Sequence, residues 1–344
     1  MQLIKTNRGP EQRRVNLHAT WPRQSAKKLL QKVRLLYLAR QDTARFSRTA
    51  SLSLFDSDQE RLSSRIMYNV HALEKGLARN HDFRGGFGRK ALISLNDAML
   101  LYRDKGYDTE GFPYDEGVAV LKAYSQLHLE MDYDVAFLRE LINPVLLDTA
   151  SVRNAGGSKT IHKHDKSANG SKNFRDLALG RSSVREFSGA PIDHNCVRES
   201  ISIALKTPSV CNRQGWRVYW IDDKLTAGEV LRHQRGFGYR EMPEVLLCVT
   251  VSNATFLSPV ERNQGFVDGG LFAMSLLYAL EYQGLAAVPL NACLYSNAQK
   301  EIRKIAGIAD SDVIVMFIAI GQFPEECKVP LSARRTFEDV IIRS

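Results

Sequence analysis

From Ser25 to Gln41 the chain reads SAKKLLQKVRLLYLARQ. Leu29, Leu30, Val33, Leu36, Tyr37 and Ala39 recur at helical spacing, with Lys and Arg on the other side. That pattern predicts a basic amphipathic helix. Such a helix is expected to pack its apolar stripe on its own protein, with an anionic membrane surface as the less favoured partner. Helical periodicity continues from Gln59 to about Leu146, in Arg61–Leu77, Ala91–Gly106, Gly117–Met131 and Asp134–Leu147. Residues 151–172 are dominated by Gly, Ser, Asn and Lys with no apolar repeat, the texture of a linker.

The second half changes character. Cys196–Thr207 is an amphipathic helix with Asp193 placed to cap it. Trp216–Asp222 reads as a strand. Glu244–Ser252 is an apolar, β-branched run of the kind found in a central strand. Asp268–Gly284 is apolar nearly all round, a helix expected in a core or a dimer interface. A helix from about Asn297 to Ala306 and a strand over Val313–Phe323 complete the set. The expected fold is α+β, a central sheet of antiparallel type flanked by helices and preceded by an all-helical domain. The expected divisions are 1–24 disordered, 25–150 helical, 151–172 linker and 173–344 the α+β domain.

At 344 residues the chain is longer than one core usually serves, which supports two domains. Its net charge is +9, and the excess is local. Residues 1–50 hold 12 Lys and Arg against 2 acidic residues, while 171–344 are near neutral. Few aromatics interleave with these charges and no nucleic-acid motif occurs, so no nucleic-acid partner is expected. No apolar run is long enough to span a membrane, and the first residues lack a secretory pattern, so a cytoplasmic location is expected. Cys196, Cys211, Cys248, Cys293 and Cys327 show no metal-ligand spacing and read as buried, reduced thiols. His162 and His164 lack a third ligand, so no metal site is expected. His71, Glu74 and Lys75 sit at helical spacing and read as a surface or interface set. DFRGGFGRK (82–90) is glycine-rich and basic but lacks the GK[ST] of a P-loop.

Three polar clusters exceed structural need. GRSSVREFSG supplies Arg181, Ser182, Ser183 and Arg185, two guanidinium forks and two hydroxyls suited to a phosphate monoester. TPSVCNRQGW packs Pro208, Ser209, Asn212 and Gln214 ahead of a strand. LSARRTFEDV carries Arg334 before a short apolar tail. In this order and spacing, with Asp268–Gly270 opening an apolar helix and GLAAVPLN at Gly284–Asn291, residues 174–344 resemble the FMN-dependent nitroreductase family. Val210, Gly215 and Asn291–Ala292 depart from its usual residues, which bears on substrate class.

The resemblance implies an FMN oxidoreductase that works by ping-pong hydride transfer. NADH or NADPH is the implied reductant, and the acceptor is a small nitro- or quinone-like molecule or a dedicated metabolite, possible links including polysaccharide biosynthesis. It implies that Arg181, Ser182, Ser183, Arg185 and Arg334 hold the FMN phosphate and ribityl chain. Pro208, Ser209, Asn212 and Gln214 would meet the flavin from the other protomer of a homodimer. Pro289, Leu290 and Asn291 would form a turn against the ring, with the Asn291 and Ala292 backbone near N5. No catalytic side chain is implied, because the cofactor carries the electron chemistry. The alternative from a different class is a scaffold of the same fold, with or without flavin, that docks a partner or membrane through its basic N-terminal helices.

Overall fold

The computed structural model describes residues 21–53, 56–81, 83–149 and 156–343. In chain order the elements are α1 (Trp21–Thr49), α2 (Gln59–Leu77), α3 (Arg89–Asp104), α4 (Tyr114–Glu130), α5 (Ala136–Leu141) and α6 (Pro144–Asp148). Then come β1 (Ser158–His162), α7 (His164–Ser167), α8 (Phe174–Gly180), α9 (His194–Ala204), β2 (Trp216–Ile221) and α10 (Lys224–Gln234). The last are β3 (Val245–Ser252), α11 (Gln264–Tyr282), β4 (Ala286–Asn291), α12 (Ser296–Ala306), β5 (Asp312–Gly321) and β6 (Glu326–Pro330). The class is α+β, as the pattern predicts.

The chain forms two compact units. One joins α1 up to Arg48 with Phe256–Arg262, and the other holds the remainder. In the first unit the Arg262 guanidinium grips the Asp42 carboxylate, its Nε at 2.8 Å. The apolar stripe of α1 is exposed, with Leu36 71% accessible. Self-packing was the expectation, but one helix and a seven-residue segment are too little chain to build a core over it. The helix also starts at Trp21, inside the stretch read as disordered; residues 1–20 of that stretch lie outside the described residues.

In the larger unit, four antiparallel strands run in the order β2-β3-β5-β4. All eight residues of β3 are buried, which accounts for its unbroken apolar run. Pro289 lies in β4, at the sheet edge where a missing N–H costs no ladder bond. The expected Pro289–Leu290–Asn291 turn is therefore the end of a strand. The register of β3 on β5 slips at Val249/Thr250, leaving Val315 out of the ladder. A Cβ on Gly269 would come within 2.5 Å of Val315 Cγ2, so glycine there lets α11 lie close against this slip.

Besides β4, two short strands, β1 and β6, escaped the sequence reading. β1, inside the stretch read as linker, pairs with β6 from Ser158↔Pro330 to His162↔Glu326. Only Ile161 of β1 is buried, so the strand is polar and shows little hydrophobic signal. The expected single helix over Asp134–Leu147 is two, because Asn143 caps a new helix with Pro144 at its first position.

Helices α2, α3 and α4 enclose an apolar cluster with Leu62, Ile66, Leu73, Leu92, Leu95, Met99 and Tyr124 fully buried. Each such side chain contributes about 1.5–3 kcal/mol by leaving water. A second cluster lies against the sheet, around Leu246, Val288, Phe317 and Phe323. The thiols divide by position: Cys248 and Cys327 are buried and Cys196 partly so, while Cys211 and Cys293 are exposed. The last two occupy polar connections flanking strands, which corrects the reading of all five as buried.

Candidate functional site

The segment after α8 is pinned as an extended strip beside the sheet. The Val184 N–H donates to Ala287 O at 3.1 Å and the Ser188 N–H to Gln322 O at 3.0 Å. Val184 and Phe187 are buried, and Phe187 lies where a Cβ on Gly321 would meet its ring at 2.6 Å. Anchoring these two leaves Arg181, Ser182, Ser183 and Arg185 facing a pocket of about 850 Å3. Upstream, the Lys166 ammonium donates to Gly180 O at 2.7 Å and to the buried Glu281 carboxylate at 2.6 Å. This fixes the chain immediately before Arg181.

The opposite wall comes from residues 330–334 and from α2. The Ser332 N–H donates to Glu74 Oε1 at 3.1 Å, and Ser332 holds a left-handed backbone (φ 52°). The Arg334 guanidinium folds back on Ser332 O. Met67, His71 and Glu74, spaced i, i+4 and i+7, project from α2 into the same pocket. Glu74 is 2% exposed, and its other oxygen lies 3.6 Å from His71 Nδ1. The His71–Glu74 pair is thus a pocket wall and not the surface set that its spacing suggests. Lys159 of β1 joins from the stretch read as linker.

Lys159, Arg181, Arg185 and Arg334 all line this pocket, and among the described residues none meets a carboxylate within ion-pair distance. Burial pulls the Arg181 and Arg185 guanidinium groups below their ordinary values. Lys159 is pulled down by burial first, then by Lys166, Arg334 and Arg181. Concentrated, half-buried positive charge of this kind favours a bound anion. The hydroxyls of Ser182 and Ser183 have no hydrogen-bond partner among the described residues, so they remain available to it.

Of the remaining predicted residues, Pro289 joins this pocket and the others lie elsewhere on the chain. Pro208 borders a separate apolar hollow with Phe174, Leu177, Ile203, Tyr278 and Tyr282. Asn212 and Gln214 are exposed, and Ser209 Oγ accepts from the Gln214 N–H at 2.9 Å. The loop is clasped by buried Asp268, whose two oxygens accept the Val210 N–H at 3.3 Å. Cys211, Asn212 and Gln214 all have positive φ, a strained arrangement that costs on the order of 1–3 kcal/mol per residue. Pro289 lines the pocket, whereas Leu290 is buried in the core. Asn291 O accepts from Gln234 Nε2 at 2.9 Å and its Oδ1 from the Cys293 N–H at 3.1 Å. The unusual Gly215 has a steric reason: a Cβ there would stand 2.6 Å from Thr255 Oγ1. His162 and His164 each approach a carboxylate, Glu326 and Asp165 respectively.

Residues 178–235 match the model of the Nitroreductase family. The matched segment spans the Arg181–Arg185 strip, α9, the Asp268-clasped loop, β2 and α10. No curated protein matches the chain. Similar solved structures include NADPH:FMN oxidoreductase from Vibrio harveyi complexed with NAD+, 16% identical, covering 50% of this chain and 77% of that one, with a TM-score of 0.43. A nitroreductase family protein from Clostridium difficile is 17% identical over 50% of this chain and 98% of its own, with a TM-score of 0.41. A nitroreductase-like protein from Streptococcus mutans is 14% identical over the same shares, with a TM-score of 0.43. Among the described residues, no helix is long and apolar enough to cross a membrane.

Proposed function

We propose that the chain is an FMN-dependent oxidoreductase that passes reducing equivalents from NADH or NADPH to a small organic acceptor. The observation that carries this reading is the pocket in which Lys159, Arg181, Arg185 and Arg334 stand without carboxylate partners beside two free hydroxyls. Arg181, Ser182, Ser183 and Arg185 of this pocket lie on the segment that matches the nitroreductase family. The donor set fits FMN. The arginines and Lys159 would neutralise a dianionic phosphate, with Ser182 and Ser183 donating hydrogen bonds to it. A volume of about 850 Å3 falls in the usual range for small-molecule and cofactor sites. Bound FMN supplies two-electron chemistry that amino-acid side chains lack. The protein's own part is to grip the phosphate and to hold the α2 wall against residues 330–334.

A homodimer belongs to the same reading. Val267, Leu271, Met274 and Tyr282 form an exposed apolar face on α11. The Asp268-clasped loop bearing Ser209, Asn212 and Gln214 adjoins that helix. Pairing through α11 would bury the face and carry the loop to the partner's pocket. A cytoplasmic site of action is part of this proposal.

The exposed, basic and apolar α1 favours a second reading, a scaffold of this fold that docks a partner or a membrane. An absorbance spectrum of the purified protein, followed by anaerobic NADH and then NADPH, separates them. Flavin bands that bleach establish the oxidoreductase. A colourless protein that takes up no added FMN establishes the scaffold.

A further inference from the structure

A second cleft opens beside the first, where the C-terminal turn of α2 meets the glycine-rich loop at 83–88 and residues 235–239. Its volume is about 540 Å3. Lys75, Arg79, Arg84 and Arg235 line it, with no carboxylate among its described lining residues. Lys75, Arg84 and Arg235 have no ion-pair partner among the described residues. Lys75 is held below its ordinary basicity by burial and then by Arg185, which lines the anion pocket. The nearby carboxylates are engaged elsewhere: Glu186 accepts from the Asn80 N–H and side-chain amide, and Glu241 pairs with Arg240.

The other lining groups are aromatic and backbone. Tyr239 carries the Arg79 guanidinium over its ring at 4.8 Å, while Arg79 also donates to Gly238 O. Phe237 stacks on Phe187 with ring centroids 6.1 Å apart, and Phe87 closes the side over Gly76. The N–H groups of Phe237, Gly238 and Tyr239 have no acceptor among the described residues. Four cations and flat rings in one cleft are the complement of a ligand that joins phosphates to an aromatic base.

We propose that this cleft binds a nucleoside di- or polyphosphate. Arg84, Arg235 and Lys75 meet the phosphates, and Phe237 and Tyr239 receive the base. The ligand then sits next to the flavin pocket, as the nucleotide half of the reductant or as the carrier of a nucleotide-linked acceptor. The site does not depend on flavin being present.

The test is calorimetric titration of the full-length protein with ADP and with inorganic diphosphate, with flavin absorbance recorded on each sample. ADP should bind at least tenfold more tightly than diphosphate. The exposed pair Arg84→Glu with Arg235→Glu should weaken ADP at least tenfold without changing flavin content or far-ultraviolet circular dichroism. Bound ADP should be displaced by NADPH or by UDP-glucose, and whichever competes identifies the source. The proposal is overturned if ADP fails to bind, if diphosphate binds equally well, if the double variant binds ADP like the parent, or if neither ligand displaces it. Absent flavin with intact ADP binding refutes the oxidoreductase reading and leaves this site standing.

Discussion

Replacing Lys166 with Met tests how the pocket-facing strip is held. The ammonium is almost fully buried, 2.6 Å from Glu281 Oε1 and 2.7 Å from Gly180 O. Its removal leaves the Glu281 carboxylate, 4% exposed, with only the Asn169 side-chain amide at 3.1 Å. An uncompensated buried charge costs about 3–5 kcal/mol. Lys166→Met combined with Glu281→Leu removes both charges, and buried pairs replaced by apolar residues are often neutral or better. The orphaned Gly180 carbonyl returns a cost of about 1–3 kcal/mol, while the Asn169 amide keeps its 2.7 Å bond to the backbone oxygen of residue 281. The double variant should therefore fall below wild type but recover at least about 2 kcal/mol over the single one. Urea unfolding followed by tryptophan fluorescence reads this as the shift in midpoint at constant slope. Equal losses in the single and double variants would show that the charges are not coupled.

Arg181→Ala with Arg334→Ala should cut FMN affinity by several kcal/mol, at about 1.5–3 kcal/mol per charge-assisted bond, and dialysis followed by absorbance measures the loss. Wild-type retention would refute the phosphate assignment. Leu271→Asp on the exposed face of α11 should convert a dimer to a monomer, read by light scattering after size exclusion. His128 is buried, with Nδ1–H donated to Tyr124 O at 2.7 Å and Nε2 accepting the Gly86 N–H at 3.0 Å. Burial holds its pKa below 6.5. The neutral ring's stabilisation is therefore fully present above pH 6.5 and is lost as pH falls from there through the folded value. His128→Gln should be less stable at pH 8 and show a flatter decline between pH 6.5 and 5 in thermal melts. An equally steep decline would point to other groups.

Long periodic elements were legible in the sequence because each buries one continuous face. The Asp193 cap is an example: its carboxylate accepts the Asn195 N–H at 2.8 Å at the start of α9. The interior place of β3 followed from its apolar run, since only a strand covered on both faces tolerates one. β1 was hidden because it buries one residue in five, and β6 because five residues are too few for a periodic pattern to stand out. The 181–185 cluster could be read because its residues are adjacent in sequence. The contribution of α2 could not, because Met67, His71 and Glu74 share the spacing of any packed helix face. Only the distant partner, Ser332, separates a pocket wall from a surface pair. The 208–214 loop shows the converse, with many polar side chains and no place in the pocket of its own chain.

The bond from Ser332 to Glu74 joins residues 258 positions apart. Closing a loop of that length from an unfolded chain costs on the order of 5 kcal/mol in entropy before any contact repays it. The helices around Leu73 and Met99 and the sheet around Phe317 can each gather from nearer partners. The anion pocket cannot, because its two walls come from opposite stretches of the chain. Completion of this pocket is thus a late event in folding, and an anion that bridged Arg181 and Arg334 would act as a clasp on that long closure.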